Sequence, residues 1–149
     1  MHHTSLPEYS LDEAQELIKI HCGTLADTDD PRLTKGLLFS LRAWNDPLNV
    51  EAFHEVMACI KTLGPTWSQQ MIPSRQISDL WGLIYLGGCY VNDPARIEHR
   101  SQYVLENIEL GIESRWLDCI GYAVLVFLEG RDPDEAFSVY NAFINEFNS

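Results

Sequence analysis

The chain has 149 residues, enough for one domain with a real core, and 46% of them are hydrophobic, which excludes disorder as its ground state. Ten Lys and Arg against 22 Asp and Glu give a formal net charge of -12. That charge repels phosphate backbones, excludes nucleic acid as a direct ligand, and either attracts a basic protein or serves solubility alone.

The hydrophobic pattern is helical nearly throughout. Ser10 with Glu13 forms a capping box, in which the hydroxyl accepts from the N3 amide and the carboxylate reaches back. Leu11, Ala14, Leu17, Ile18 and Cys22 then share one face, and Gly23 is a natural stop. Asp30-Pro31 opens a second helix that should run to about Trp44, with Leu33, Leu37 and Leu41 inward. Leu38 and Phe39 widen its apolar stripe and leave room for a homodimer face. Asn49 opens a third helix, with Val50, Phe53, Met57, Ile60 and Leu63 inward and Gly64-Pro65 closing it. Residues 65–74 are irregular. Ser74 caps a fourth helix, with Ile77, Leu80, Trp81, Ile84 and Val91 inward.

Asp93-Pro94 starts a fifth helix, with Ile97, Val104, Leu105, Ile108 and Ile112 inward. The sixth follows Ser114 and is apolar almost all round after Asp118, as befits a central, buried helix. Asp132, Pro133 and Glu135 start the seventh, with Ala136, Phe137, Tyr140, Phe143, Ile144 and Phe147 inward. The four Asp-Pro pairs are punctuation. At Asp30, Asp93 and Asp132 the carboxylate caps a helix and Pro takes the first helical position, where its missing N–H costs nothing; Asp46-Pro47 reads as a turn. The expected fold is all-α: residues 1–149 as one domain of about seven helices, in antiparallel hairpins around a buried helix near 115–129.

One internal similarity offers a different arrangement. Leu83-x-x-Leu86-Gly87-x-x-Tyr90 returns 34 residues later as Leu117-x-x-Ile120-Gly121-x-x-Val124. Ala136 with Tyr140 follows the second in the manner of a paired helix. Residues 75–147 thus resemble two degenerate tetratricopeptide hairpins, whose period is 34. The resemblance implies a groove that holds a peptide or protein, as in a chaperone or adaptor, and no catalysis.

Chemistry-bearing patterns are sparse. Glu51-x-x-His54 has the spacing of di-iron helical bundles, but no second copy exists; it leaves a metal-dependent bundle enzyme as an alternative. On its own helix Glu51, His54 and Glu55 read as a solvated face. His54-Glu55 begins H-E-x-x-H, yet position 58 is Ala. Gly87-Gly88 is followed by no G-K-[ST]. Cys22, Cys59, Cys89 and Cys119 form no C-x-x-C and read as buried free thiols of a reducing compartment. Cys89 with His99 is the one conceivable thiolate–imidazole pair. Asp118, a lone acid on the most apolar helix, needs a partner such as Arg115.

No apolar run reaches the ~20 residues a bilayer needs, and no basic-then-apolar leader opens the chain. The expectation is therefore a cytoplasmic protein without cofactor, catalytic residue, metal or membrane partner. Its function reads as non-enzymatic: an acidic protein that neutralises a basic protein partner, in the manner of a toxin-immunity protein or inhibitor. The candidate partner-binding residues are Trp67 and Met71 in the irregular segment, Glu106, Glu109 and Glu113 on one helical face, and Asp132 and Asp134 before the last helix.

Overall fold

The computed structural model describes residues 6–42, 49–67, 69, 74–93 and 112–147. Among them are seven α-helices and no strand: α1 (Leu11–Cys22), α2 (Leu37–Ser40), α3 (Val50–Trp67), α4 (Ser74–Val91), α5 (Ile112–Leu128), α6 (Pro133–Ala136) and α7 (Ser138–Phe147), with a 3-10 turn over Pro31–Lys35. The all-α bundle expected from the pattern is the fold observed. The expected helix from Asp93, and the turn at Asp46-Pro47, lie outside the described residues.

Local chemistry sets the boundaries. The Ser10 hydroxyl accepts from the Glu13 amide, and the Glu13 carboxylate accepts from the Ser10 amide, so the capping box is complete. Gly23 closes α1 in the left-handed conformation, at φ 71°. Asp30 and Asp132 each accept from the backbone N–H two residues on, and each is followed by Pro at the first helical position. Asn49 accepts from the Ala52 amide at the start of α3.

Several expected boundaries move. The sixth helix begins at Ile112, ahead of Ser114, and the seventh is split at Phe137 into α6 and α7. The helix anticipated from Asp30 to Trp44 is broken at Gly36 into the 3-10 turn and α2. Gly36 lies so close to the backbone of α1 that a β-carbon there would sit 2.3 Å from the Ile20 carbonyl oxygen. The chain must turn at this point to lay Leu37, Leu38 and Leu41 into the core. Leu38 is thereby buried, and Phe39 is half-buried beneath the Arg42 guanidinium, so the apolar surplus read as a dimer face is absorbed. Gly64-Pro65, in turn, does not end α3, which runs on to Trp67. Gly64 is there for close packing: a β-carbon would fall 2.4 Å from the Phe127 ring. Proline so near the C-terminus removes a single hydrogen bond from the last turn.

The core lies around α3 and α5. These run parallel, with Phe53 stacked on Trp116 at one end and Trp67 edge-on to Phe127 at the other. Helix α1 is antiparallel to α3, since Tyr9 reaches Thr62 and Glu55 while His21 reaches Glu55. Helix α5 is central as expected, packing on α3, α4, α6 and α7, and it shares that place with α3. Near its start, Arg115 grips Glu146 of α7 with both guanidinium nitrogens and lies over Phe143 and Phe147. Asp118 faces solvent, so it needs no buried partner.

Helices α4 and α5 run antiparallel. Gly87 meets Leu117, Gly121 meets Ile84, and Ile77 and Trp81 meet Val124 and Leu128. This corrects the repeat reading. Stacked repeats follow one recurring rotation and translation, so equivalent helices of successive repeats run in the same sense. The two helices that carry the Leu-Gly pattern run in opposite senses. The glycines are packing positions in a bundle, most clearly Gly87, where a β-carbon would come within 3.1 Å of both Leu117 and Leu41.

Candidate functional site

Helix α4 is apolar on more than one side. Leu80, Leu83, Gly87 and Val91 face the core. The close approach at Gly87 favours that side, because a β-carbon there would press on the Leu117 and Leu41 side chains at 3.1 Å. Ile77, Trp81 and Tyr85, one helical column over, are left outside, with Trp81 66% exposed. Trp81 and Ile77 therefore do not point inward as the periodicity suggested. Across the seam, α5 exposes Leu125 and Leu128. Together these side chains make an apolar face with a dimple of about 80 Å³, walled by Ile77, Leu80, Trp81, Ile84, Val124 and Leu128.

Trp67 forms the floor of that dimple. It is 5% exposed, on the last turn of α3, and its indole N–H donates to Gln76 at 3.0 Å. The expectation of a loop tryptophan open to a partner is thus corrected. Helix α3 extends through this position and packs the ring against Phe127, so Trp67 supports the face and Trp81 presents it. Met71, Glu106 and Glu109 lie outside the described residues. Glu113 is buried, not on an open acidic face. Asp132 and Asp134 are exposed, and Asp132 is committed to the Asp134 amide as a cap.

Among the described residues, Asp118 lies two turns before Leu125 on the same side of α5, and Glu129, one turn after it, is paired with Arg131 at 2.8 Å. Asp118 and Glu129 are both exposed. Among the described residues no Lys or Arg lines the dimple. The one cation on α4, Arg75, is held on the adjacent side by buried Asp79 at 3.1 Å and by the Thr24 carbonyl. There α4 borders a second cleft of about 770 Å³ against the corner from α1 to α2, where apolar side chains such as Phe39 and Leu86 stand among Arg42, Arg75, Asp29 and Asp30, of both signs of charge.

The groups with catalytic potential are engaged elsewhere. His21 is 1% exposed between α1, α2 and α3. Its Nδ1 lies 3.0 Å from the Leu37 amide and must accept, so Nε2 carries the proton and donates to Glu55 at 2.7 Å. Neither ring nitrogen remains for a substrate. Tyr9 also donates to Glu55. Of the face expected to be solvated, His54 and Glu55 are half-buried and Glu51 is exposed. The hydrogen bond from His21 holds the Glu55 carboxyl below the usual glutamate range, against the opposing effect of burial.

That depression fixes a pH dependence. A carboxyl whose folded pKa is lowered stabilises the fold above its unfolded pKa, and the contribution is lost as pH falls through the folded value. Below roughly pH 4.3, the ordinary glutamate value, the wild type should lose stability more steeply than Glu55→Gln, which keeps an acceptor for His21 without the charge. Urea unfolding of both proteins across acid pH measures this; parallel curves would contradict it.

His54 bonds Tyr140 through Nδ1 at 2.8 Å. Burial lowers the His54 pKa and pushes the Tyr140 hydroxyl up to about 12, so the phenol keeps its proton. Glu51 is exposed, and no three His, Cys, Asp or Glu side chains converge as a metal site among the described residues. Burial likewise raises the thiols of Cys22, Cys59, to about 12, and Cys119, to about 11, leaving them protonated at neutral pH. Cys89 is exposed, contrary to expectation, because it lies on the outward side of α4. His99 lies outside the described residues. Among those residues, no helix is long and apolar enough to cross a membrane. Compared with protein-family models, curated proteins and solved structures, the chain matches none.

Proposed function

We propose that this is a non-enzymatic, acidic protein-binding protein that neutralises a basic protein partner, of immunity or inhibitor type, and that the α4–α5 face holds that partner. The observation that carries the reading is the exposure of Ile77, Trp81, Tyr85, Leu125 and Leu128 side by side on a chain of net charge -12. An apolar patch rimmed by polar residues is characteristic of an interaction site, and Trp and Tyr are the side chains that dominate interface energetics. The surrounding negative charge steers a basic partner to the face and speeds association. The commitment of His21, His54 and the buried thiols to internal contacts favours binding over catalysis. Free buried thiols suit a reducing compartment such as the cytoplasm.

The test is a pull-down from the native host at low and moderate salt, with wild type and Trp81→Ala side by side. A basic protein should be retained by the wild type, weakened as salt rises, and reduced at least tenfold by Trp81→Ala, as truncating an interface hot spot does. Trp81→Ala should itself leave thermal unfolding nearly unchanged, because the ring is mostly in solvent. No partner at any salt, or equal capture by both proteins, would contradict the reading.

A further inference from the structure

We infer that the element received by the α4–α5 groove is a basic amphipathic α-helix of about three turns, supplied by the partner. This rests on the proposed function and names what the partner must present.

Four observations lead there. First, the groove lies between two antiparallel helices, a shape into which a third helix packs its ridge of side chains. Second, its walls are helices whose backbone N–H and C=O groups are internally bonded, so they offer no edge to pair with an extended strand. A strand laid there would leave its own backbone unsatisfied, whereas a helix arrives with its backbone paired. Third, the seam from Ile77 to Gly88 has the length of a helix of roughly three turns at about 1.5 Å per residue. At its far end Gly88 has open space above it, since a β-carbon there would meet nothing within 4 Å. Fourth, the seam carries unbalanced negative charge. Asp118 is exposed beside it on a chain of net charge -12, Glu129 is shared with Arg131, and among the described residues no basic residue lines the dimple.

That last point also separates the partner from a second copy of this chain. A self-complementary contact would bring together two subunits that each carry a net charge of -12, with an exposed Asp118 on each face. Lys or Arg flanking the apolar ridge of an incoming helix meets Asp118 instead. The ridge itself, with large apolar residues at i, i+3, i+4 and i+7, fills the space between Trp81 and Leu125.

The experiment uses the full chain and three fluorescein-labelled synthetic peptides, followed by fluorescence anisotropy. One peptide places Leu at helical spacing with Lys and Ala elsewhere, one has the same composition in scrambled order, and one replaces every Lys by Glu. The first should bind with a Kd on the order of micromolar. The scrambled and acidic peptides should bind at least about tenfold more weakly, as should the first peptide to Trp81→Ala or Leu125→Ala. Circular dichroism confirms that each variant is folded, and the two variants serve as checks on one another.

Equal binding of the scrambled peptide would overturn the inference while leaving a basic partner intact, because charge alone would then account for the affinity. Equal binding of the acidic peptide would overturn the charge assignment. Insensitivity to both variants, or no binding of any peptide, would place the helix elsewhere or remove it; a partner still captured in the pull-down would show that only this inference had failed. A wild-type dimer in sedimentation velocity that dissociates in Trp81→Glu would assign the groove to a second copy and overturn it too.

Discussion

Gly36→Ala should destabilise the fold by about 3 kcal/mol or more, the upper end of what overpacking costs. The backbone at Gly36 has φ -74° and ψ 155°, which any residue adopts, so the conflict is one of space. A β-carbon would lie 2.3 Å from the Ile20 carbonyl oxygen, 3.0 Å from its carbon and 3.2 Å from the His21 Cα. All three are backbone atoms of α1, which cannot swing aside as a side chain does. Relief requires α1 and α2 to separate, and separation breaks the His21–Leu37 hydrogen bond as well. Gly82→Ala is the matched control. It lies inside α4 with nothing within 4 Å of the added carbon, and a helix-interior alanine there should be neutral or stabilising by up to about 1 kcal/mol. Urea unfolding of both variants makes the comparison. A loss at Gly36 no larger than at Gly82 would contradict the packing described for α1 and α2.

His21→Ala should cost about 3 kcal/mol, from an orphaned buried amide and a vacated ring site together. The ring joins three elements: α1 carries it, the first amide of α2 donates to Nδ1, and Glu55 of α3 accepts from Nε2. Truncation leaves the Leu37 amide buried without an acceptor and Glu55 with Tyr9 alone. His21→Asn, whose side-chain oxygen accepts hydrogen bonds, should recover part of the loss. Amide hydrogen exchange gives an independent readout, because Leu37 should lose protection in His21→Ala before the rest of α2. Unchanged protection at Leu37 together with a loss below about 1 kcal/mol, near the net worth of one ordinary hydrogen bond, would contradict the role assigned to the ring.

What could be read from the chain, and what could not, divides by distance in sequence. Ser10 with Glu13, Gly23, Asp30 with Pro31, and Asp132 with Pro133 act on amides and carbonyls within a few residues, and each does in the structure what its local pattern demands. Gly36 and Gly64 were opaque because the atoms that exclude a side chain there belong to Ile20 and Phe127. His21 and Glu55 are 34 positions apart, and nothing beside either one announces the other. The repeat signal misled for a related reason. A Leu-Gly pattern records that a helix needs a close neighbour, and Gly87 has one in Leu117, but the pattern carries no information about that neighbour's direction.

The candidate face was hidden by an ambiguity of the same kind. On α4 two adjacent apolar columns, Leu80–Leu83–Gly87 and Ile77–Trp81–Tyr85, both satisfy helical periodicity, and only one can turn to the core. The usable signal was the surplus: a helix with more apolar columns than its single core contact can bury must expose one. Trp67 follows Gly64-Pro65, a local stop signal, yet it belongs to the last turn of α3 and lies beneath the side chain that matters more, Trp81.

The central claim is that the exposed row on α4 and α5 is where a basic partner is held, and site-specific photo-cross-linking tests it most directly. A photoreactive amino acid would replace Trp81 in one protein and Gln15, exposed on α1 and part of neither groove, in another. Both would be irradiated in the native host. A covalent adduct with one basic protein from position 81, and none from position 15, is the predicted result. Adducts of equal yield from both positions, or from position 15 alone, would contradict it.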